Sequence, residues 1–441
     1  MILIRNATIL TQDSKRQILK NAAICIKDGR ILDIGISHEL EKLYKKRAKK
    51  IIDGEGRVVM PGLINTHTHL AMTLLRGYAD DMPLEKWWFE KVFPFEGKLK
   101  AEDVYWGSLL GGLEMIESGT TCFVDGYFFA DAIVMAVEEL GLRANIGIPV
   151  LDFKCPEFES PDDALAAAEK ILTKPRGAEL IKFSIAPHML QSTSLETYRK
   201  CKKLADRYKI ILQTHLAETE AEVEYSRKKY KKTPVRLLVE NRILDKNSLV
   251  AHVCHLTDDD VVLLAKSRVN VSHCPVSNMK LVSGLMPLKK LLNKGVNIGL
   301  GTDGACSNNN LDMFEEMKLS ALVHKLAEKD PSAAEAQIIL DMATINAAKA
   351  IGEEKNLGSI ERGKAADIIL LNFQQPHLLP DYNILSNLVY SARGNDVETA
   401  IINGQIVMEN RKIQNVNENK ILKIIRERYN AYSSNLILCA L

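Results

Sequence analysis

Eight short apolar runs recur through the middle of the chain, each followed by a longer stretch of helical character. That alternation restricts the fold more than any other feature. The runs are Val58–Thr66, Thr120–Val124, Arg143–Val150, Leu180–Ala186, Ile210–Thr214, Ser248–Ala251, Val269–Ser272 and Val296–Gly301. Between them lie amphipathic segments such as Asp162–Leu172, Leu195–Tyr208, Thr219–Lys232 and Leu288–Lys294. Strands alternating with helical patterns predict βαβ units and a parallel sheet. Eight such strands predict an α/β fold of the closed (β/α)8, TIM-like class; an open doubly wound sheet is the alternative. A barrel fills about 250 residues, so a chain of 441 has room for a second unit.

The flanks supply it. Residues 1–57 read as short alternating strands (Ile2–Ile9, Ala23–Lys27, Arg30–Ile36), with Asp28-Gly29 as the turn between the last two. Residues 357–415 repeat that texture in Gly358-Ser359-Ile360, Ala366–Asn372, Thr399–Ile402 and Gln405–Met408. Neither flank buries a core comfortably alone, which predicts one small β-sandwich domain made by both chain ends. The expected organisation is 1–57 plus 357–415 for that domain, 58–356 for the barrel and 416–441 for a C-terminal helical tail. The basic runs Lys45–Lys50 and Arg227–Lys232 have acidic neighbours and read as solvated helix faces.

Composition narrows the function. With 46% hydrophobic and 26% charged residues the chain can bury a core, which excludes a disordered protein. Lys+Arg 58 against Asp+Glu 56 leaves a net charge of +2, which argues against nucleic acid or a membrane surface as the main partner. The opening MILIRNATIL is too short an apolar run for a signal peptide, and no later run nears the ~18 apolar residues of a membrane span. The eight cysteines form no CxxC pair and read as reduced thiols of a cytoplasmic protein.

The polar residues fall in order on the strand map. His67 and His69 follow the first strand, Asp125 ends the second, His188 follows the fourth, His215 the fifth, His252 the sixth, His273 the seventh and Asp303 the eighth. Carboxyl ends of strands are where barrel active sites are built. Any one of these could be a satisfied core residue; the ordered series is the signal. Residues i and i+2 of a strand point the same way, so His67 and His69 can grip one ion. Imidazole and carboxylate suit zinc or another first-row metal. Three protein ligands already make a catalytic site with an open position for water, and His67, His69, His215 and Asp303 together would give a five-coordinate one. Glu218, three residues after His215, can reach a substrate as a proton carrier. Its alternative reading is a carboxylate opening the next helix.

The segments PGLINTHTHL, QTHLAE, AHVCHL, SHCPVSN and GLGTDG, in that order, resemble the amidohydrolase superfamily. MTLLRGYADDMPLEKWW, Pro94-Phe95-Glu96, Ala186-Pro187-His188 and TDGACSNNNLDMF are similar, more narrowly, to its 5-methylthioadenosine/S-adenosylhomocysteine deaminase group. The resemblance implies a single divalent metal per subunit on His67, His69, His215 and Asp303; zinc is the expected ion, with iron or manganese left open. It implies that Glu218 protonates the purine N1 and that His252 orients the attacking hydroxide. Glu96 would hold the ribose hydroxyls, His188 would contact the nucleoside, Trp87 would pack on it and Ser307 would line the pocket. Trp87 can instead be core and Glu96 a surface acid; His255 and His273 are left outside the site. The expected partner is a small-molecule nucleoside, and a homo-oligomer stays open.

The expected chemistry is hydrolytic deamination, with Asp303 taking the water's proton and Glu218 acting as general acid, a contribution of ~10²–10⁴ in rate. The H-x-E…P-C-x-x-C zinc-deaminase design is absent, since Cys274-Pro275 has the wrong order. The alternatives are an aminohydrolase or chlorohydrolase of guanine, 8-oxoguanine or s-triazine type, and a metal-binding protein without catalysis. Glu96 and His188 favour a riboside over a free base. A binuclear amide hydrolase would need a carboxylated lysine where this chain has His188.

The resemblance also implies arginines near the third strand in members that take S-adenosylhomocysteine. Here GLRANIGIPVLDFKCPEFES carries Ile148 at the strand end, Arg143 opens the strand at the far end of the barrel, and only Lys154 is near. The expected 5′ pocket is apolar, with Ile148 and either Met72 or Phe153 facing a methylthio group, and 5′-methylthioadenosine is the expected preferred substrate.

Overall fold

The computed structural model describes residues 1–174 and 180–437. Nine strands from the two chain ends make one sheet: β1 (Ile2–Leu10), β2 (Ile18–Lys27), β3 (Arg30–Ile36), β4 (Lys50–Asp53) and β5 (Arg57–Pro61) from the front. Eight more form the middle of the chain: β6 (Leu63–Thr68), β7 (Thr120–Gly126), β8 (Arg143–Val150), β9 (Ile181–Pro187), β10 (Ile211–Leu216), β11 (Ser248–His252), β12 (Asn270–His273) and β13 (Asn297–Leu300). The rear supplies β14 (Ile368–Asn372), β15 (Val397–Ile402), β16 (Gln405–Glu409) and β17 (Lys412–Ile413). The terminal sheet runs β17-β16-β15-β14-β5-β1-β2-β3, with β4 on β1. Front and rear meet where β5 pairs antiparallel with β14, Val59 opposite Leu370. Its own core, including Ile4, Ile24, Ile31, Val59, Ile368 and Ile401, is separate from the main one.

The expected first run Val58–Thr66 is two strands in two sheets. Pro61 has no N–H to continue the ladder. A Cβ on Gly62 would lie 2.1 Å from Thr121 Oγ1, so the chain crosses here only on glycine. Gly358-Ser359-Ile360 is not a strand either: Ile360 N donates to Thr11 O, and the Ile360 side chain fills the small core. The helix expected over Thr219–Lys232 covers Glu220–Tyr230, with the Thr219 side chain as its cap, and stops at Lys231, whose φ is +59°. A helix over Glu418–Ile437 occupies the expected C-terminal tail, of which 438–441 lie outside the described residues.

β6 to β13 pair in sequence order, every neighbouring pair parallel. Their side chains are almost all buried, as expected of parallel strands covered on both faces. Between β13 and β6 there is no strand ladder; side chains close the ring instead. Asn65 Nδ2 donates to Thr302 Oγ1 (2.7 Å) while its Oδ1 accepts from Thr302 N (3.1 Å) and His67 N (3.2 Å). Thr66 Oγ1 donates to Leu300 O, and Asp303 N to His67 O. This stitched seam carries His67 on one side and Asp303 on the other.

The seven described cysteines are free and buried; Cys439 lies outside the described residues. Among the described residues no helix is long and apolar enough to cross a membrane.

Candidate active site

Strand ends from all round the barrel converge on one buried point. Asp303 Oδ1 is 3.3 Å from His69 Nε2 and 3.5 Å from His67 Nε2, and His215 Nε2 is 3.3 Å from His69 Nε2. The ligand-capable atoms of His67, His215, His252 and Asp303 lie within 4.8 Å of one another. Backbone strain delivers these groups: Ala217, His252, Val253 and Asp303 all have positive φ at the turns leaving their strands. Such conformations persist where the surrounding structure over-determines them, which is typical of functional sites.

Hydrogen bonds decide what each ring presents. A backbone carbonyl only accepts, so His69 Nδ1 donates to Gly126 O (2.8 Å) and His215 Nδ1 donates to His188 O (3.1 Å). Their Nε2 atoms are then the lone-pair atoms facing the centre. His67 Nε2 is buried without a hydrogen-bond partner. The Asn278 Nδ2 amide lies 3.0 Å from His252 Nδ1 and can only donate, so His252 presents Nε2–H, 3.8 Å from Glu218 Oε2. Asp303 Oδ2 accepts from Ser277 Oγ (2.6 Å) and Ser307 Oγ (2.9 Å).

Protonation follows from burial and neighbours. Burial holds the His67 pKa down at about 4 and His188 at about 3, and depresses that of His215 well below its ordinary value. Burial also opposes a charge on His69, but Asp303 and Asp125 outweigh it and raise that pKa to about 9. Burial alone would raise Asp303, yet the adjacent imidazoles of His67 and His69 hold it well below the usual carboxylate range. Imidazole nitrogens, one of them orphaned, and one carboxylate gathered at a common point fit a divalent metal, which would displace the His69 proton on binding. Burial, reinforced by Asp303, pushes Glu218 up to about 8, so its carboxyl group is protonated at neutral pH.

A cleft opens beside the cluster. Its walls include Met72, Trp88, Phe93, Glu96, Tyr127 and His188. An adjoining lobe is lined by residues that include Trp87, Glu218, His252 and Asp303. His188 packs against Trp88, ring centroids 4.7 Å apart, and is held through Nδ1 by Ser192.

Two expected pocket residues sit elsewhere. Ile148 is buried but faces the outer helices; a Cβ on Gly147 would touch Gln213 inside the barrel, so the alternation along β8 sends Pro149 and then Leu151 to the cavity. Ser307 does not line the cavity; its hydroxyl is spent on Asp303. Arg143 is committed to Asp367 at the far end of β8, and exposed Lys154 to Glu159. Phe153 stands behind Phe93, ring centroids 5.5 Å apart. Not expected at all were Tyr127, Trp88, Gln213, Ser277 and Asn278. Of these, Ser277 and Asn278 follow His273 within SHCPVSN, and Tyr127 follows the Asp125 strand end by two residues, so strand-end proximity was the available signal.

The sequence profile of the amidohydrolase family matches residues 58–407. The chain is 44% identical over 427 residues to 5'-deoxyadenosine deaminase of Methanosarcina acetivorans, covering 96% of each. It is 41% identical to the 5-methylthioadenosine/S-adenosylhomocysteine deaminase of Thermodesulfovibrio yellowstonii, covering 95% of this chain and 96% of that one. Among solved structures, an adenosine deaminase from Xanthomonas campestris with bound zinc superposes with a TM-score of 0.94, at 31% identity and 98% coverage of both chains. Atrazine chlorohydrolase of Arthrobacter aurescens shares the fold, with a TM-score of 0.90 at 23% identity. The eight-stranded parallel barrel, the two-ended terminal sheet, the buried His/Asp cluster and these matches lead to one assignment: the chain belongs to the amidohydrolase family.

Proposed function

We propose that the protein is a hydrolytic deaminase of adenine nucleosides, with 5′-methylthioadenosine preferred, and that its metal is a single zinc ion held by His67, His69, His215 and Asp303. The observation that carries the reading is Glu218: a buried carboxyl group, protonated at neutral pH, on the wall of the lobe that also contains Asp303 and His252. Hydrolysis at a metal alone does not need a proton donor there; addition to a purine ring does.

Held by His67, His69, His215 and Asp303, a divalent ion would supply Lewis acidity, which can lower the pKa of water from 15.7 to about 7. Asp303, its Oδ2 fixed by two serine hydroxyls, takes up the water's proton. His252 Nε2–H holds the attacking oxygen in line with C6 of the base. Glu218 delivers its proton to N1 as charge develops in the ring, and the proton on Asp303 passes to the departing amine. Ammonia leaves. Trp87 and Trp88 exclude water from the lobe, and His188 and Glu96 orient the nucleoside.

The 5′ end meets Phe93, Phe128, Pro149 and Leu151. Apolar walls gain ~0.8 kcal/mol per buried methylene, whereas an unpaired carboxylate there carries a desolvation cost. No lysine or arginine lines the cavity among the described residues. 5′-Methylthioadenosine should therefore exceed S-adenosylhomocysteine in kcat/KM by at least ~10-fold, about 1.4 kcal/mol. 5′-Deoxyadenosine and adenosine should also be turned over. Steady-state ammonia release on these four nucleosides, with guanine and an s-triazine as controls, tests the assignment. Turnover confined to the free bases would favour the aminohydrolase or chlorohydrolase reading, and equal use of S-adenosylhomocysteine would remove the apolar 5′ pocket.

A further inference from the structure

Two polar atoms of the cavity wall are buried and lack a hydrogen-bond partner: Glu96 Oε1 and Tyr127 Oη. Their residues are 3% and 2% exposed. Tyr127 stands one residue beyond β7, next to Gly126, whose carbonyl orients His69; its ring centroid is 6.3 Å from that of His69. Glu96 ends the helical turn Phe93–Glu96. The two groups sense each other. Burial raises Glu96 to about 7 and the Tyr127 hydroxyl draws it part of the way back, while burial and then Glu96 push Tyr127 well above its ordinary value.

Buried polar atoms are nearly always satisfied, so two orphaned atoms side by side, on residues that line one cavity, mark the place where a ligand supplies the missing partners. A carboxylate offers acceptors only, and a phenol offers one donor and one acceptor. Side by side, they match two adjacent hydroxyl groups: one hydroxyl donates to the carboxylate, and the next exchanges a bond with the phenol. An apolar wall would do as well for a deoxy sugar. This pair would not.

We propose that Tyr127 is a specificity-determining residue which, with Glu96, clamps the vicinal 2′,3′-diol of the ribose and sets a preference for ribonucleosides over deoxyribonucleosides. The inference rests on the reading that the substrate is an adenine nucleoside. Tyr127 touches substrate in this account and has no part in proton transfer.

The test is Tyr127→Phe, which keeps the ring and removes the hydroxyl. Metal-loaded wild type and variant are compared on adenosine, 2′-deoxyadenosine and 3′-deoxyadenosine by ammonia release. Wild type should favour adenosine over at least one deoxynucleoside by ~10-fold or more, the scale of one buried hydrogen bond. The variant should lose about tenfold in kcat/KM on adenosine, mainly through KM, and under ~3-fold on the nucleoside lacking the hydroxyl that Tyr127 holds. Equal losses on all three would make Tyr127 a structural support for Glu96 and overturn the proposal. So would unchanged kinetics in a variant with wild-type thermal melting. Should Tyr127→Phe not fold, the wild-type enzyme still decides: less than ~3-fold discrimination against both deoxynucleosides rejects the diol clamp. Absence of turnover on every adenine nucleoside would sink the broader assignment as well, and is distinct from either result.

Discussion

Replacing Asn65 by alanine tests whether the barrel is held shut where it lacks a strand ladder. Asn65 is fully buried, and its amide makes three bonds: two across the gap, Nδ2 to Thr302 Oγ1 and Oδ1 from Thr302 N, and one within its own strand, Oδ1 from His67 N. Alanine removes one donor and leaves two buried N–H groups without that acceptor. Each unsatisfied buried group costs about 1–3 kcal/mol, and the lost side-chain bond about 1 kcal/mol. Thr302 Oγ1 still donates to Asp303 O, and Asp303 N to His67 O, so part of the seam survives. The sum is a destabilisation of about 3–7 kcal/mol, at or beyond the upper end of what single substitutions do. Urea denaturation followed by circular dichroism measures it, with Asn372→Ala in the terminal sheet as a control for losing a surface amide. Because His67 and Asp303 flank the seam, metal affinity should fall with stability. A variant within ~0.5 kcal/mol of wild type, with unchanged metal retention, would refute the view that Asn65 closes the ring.

The remaining predictions concern the cluster and its proton donors. Glu218→Gln should keep fold and metal yet lose at least ~10²-fold in kcat, the lower end expected of a general acid; near-normal ammonia release would place the proton transfer elsewhere. Asn278→Ala removes the amide that fixes Nε2–H on His252, and should cut kcat by about tenfold with KM little changed and metal content intact; loss of metal instead would make His252 a ligand. Elemental analysis should find close to one divalent ion per chain, and two tightly held equivalents would contradict a mononuclear site. His67→Ala should abolish metal binding while circular dichroism shows a folded barrel.

The strand–helix alternation was readable because parallel barrel strands are apolar on both faces and helices are not. Strand boundaries were less so: nothing in the periodicity of Val58–Thr66 marks a change of sheet, and only the steric demand of Thr121 on Gly62 explains it. His67, His69, His215 and Asp303 were legible from chain order, since barrel topology sends strand ends to one face. His252 was legible as a site residue, but its role depends on Asn278, a contact across two loops that no spacing encodes. Ile148 was misplaced by one residue, and a shift of one in a strand turns the side chain to the other face. Ser307, expected to line the pocket, has its hydroxyl on Asp303, a contact that no spacing encodes. Tyr127 escaped notice because a tyrosine beyond a strand end is ordinary core until its orphaned hydroxyl is seen beside Glu96.

The central claim is that water displaces the amine of a purine nucleoside at this cluster, and isotope transfer tests it most directly. Purified, metal-loaded protein is incubated with 5′-methylthioadenosine in water enriched in oxygen-18, and the nucleoside product is weighed by mass spectrometry while ammonia is measured. The account predicts one ammonia per product molecule and one labelled oxygen in the purine ring, with neither seen for Glu218→Gln on the same timescale. Product without label, ammonia without a modified nucleoside, or no reaction with any adenine nucleoside despite a full complement of metal would contradict it.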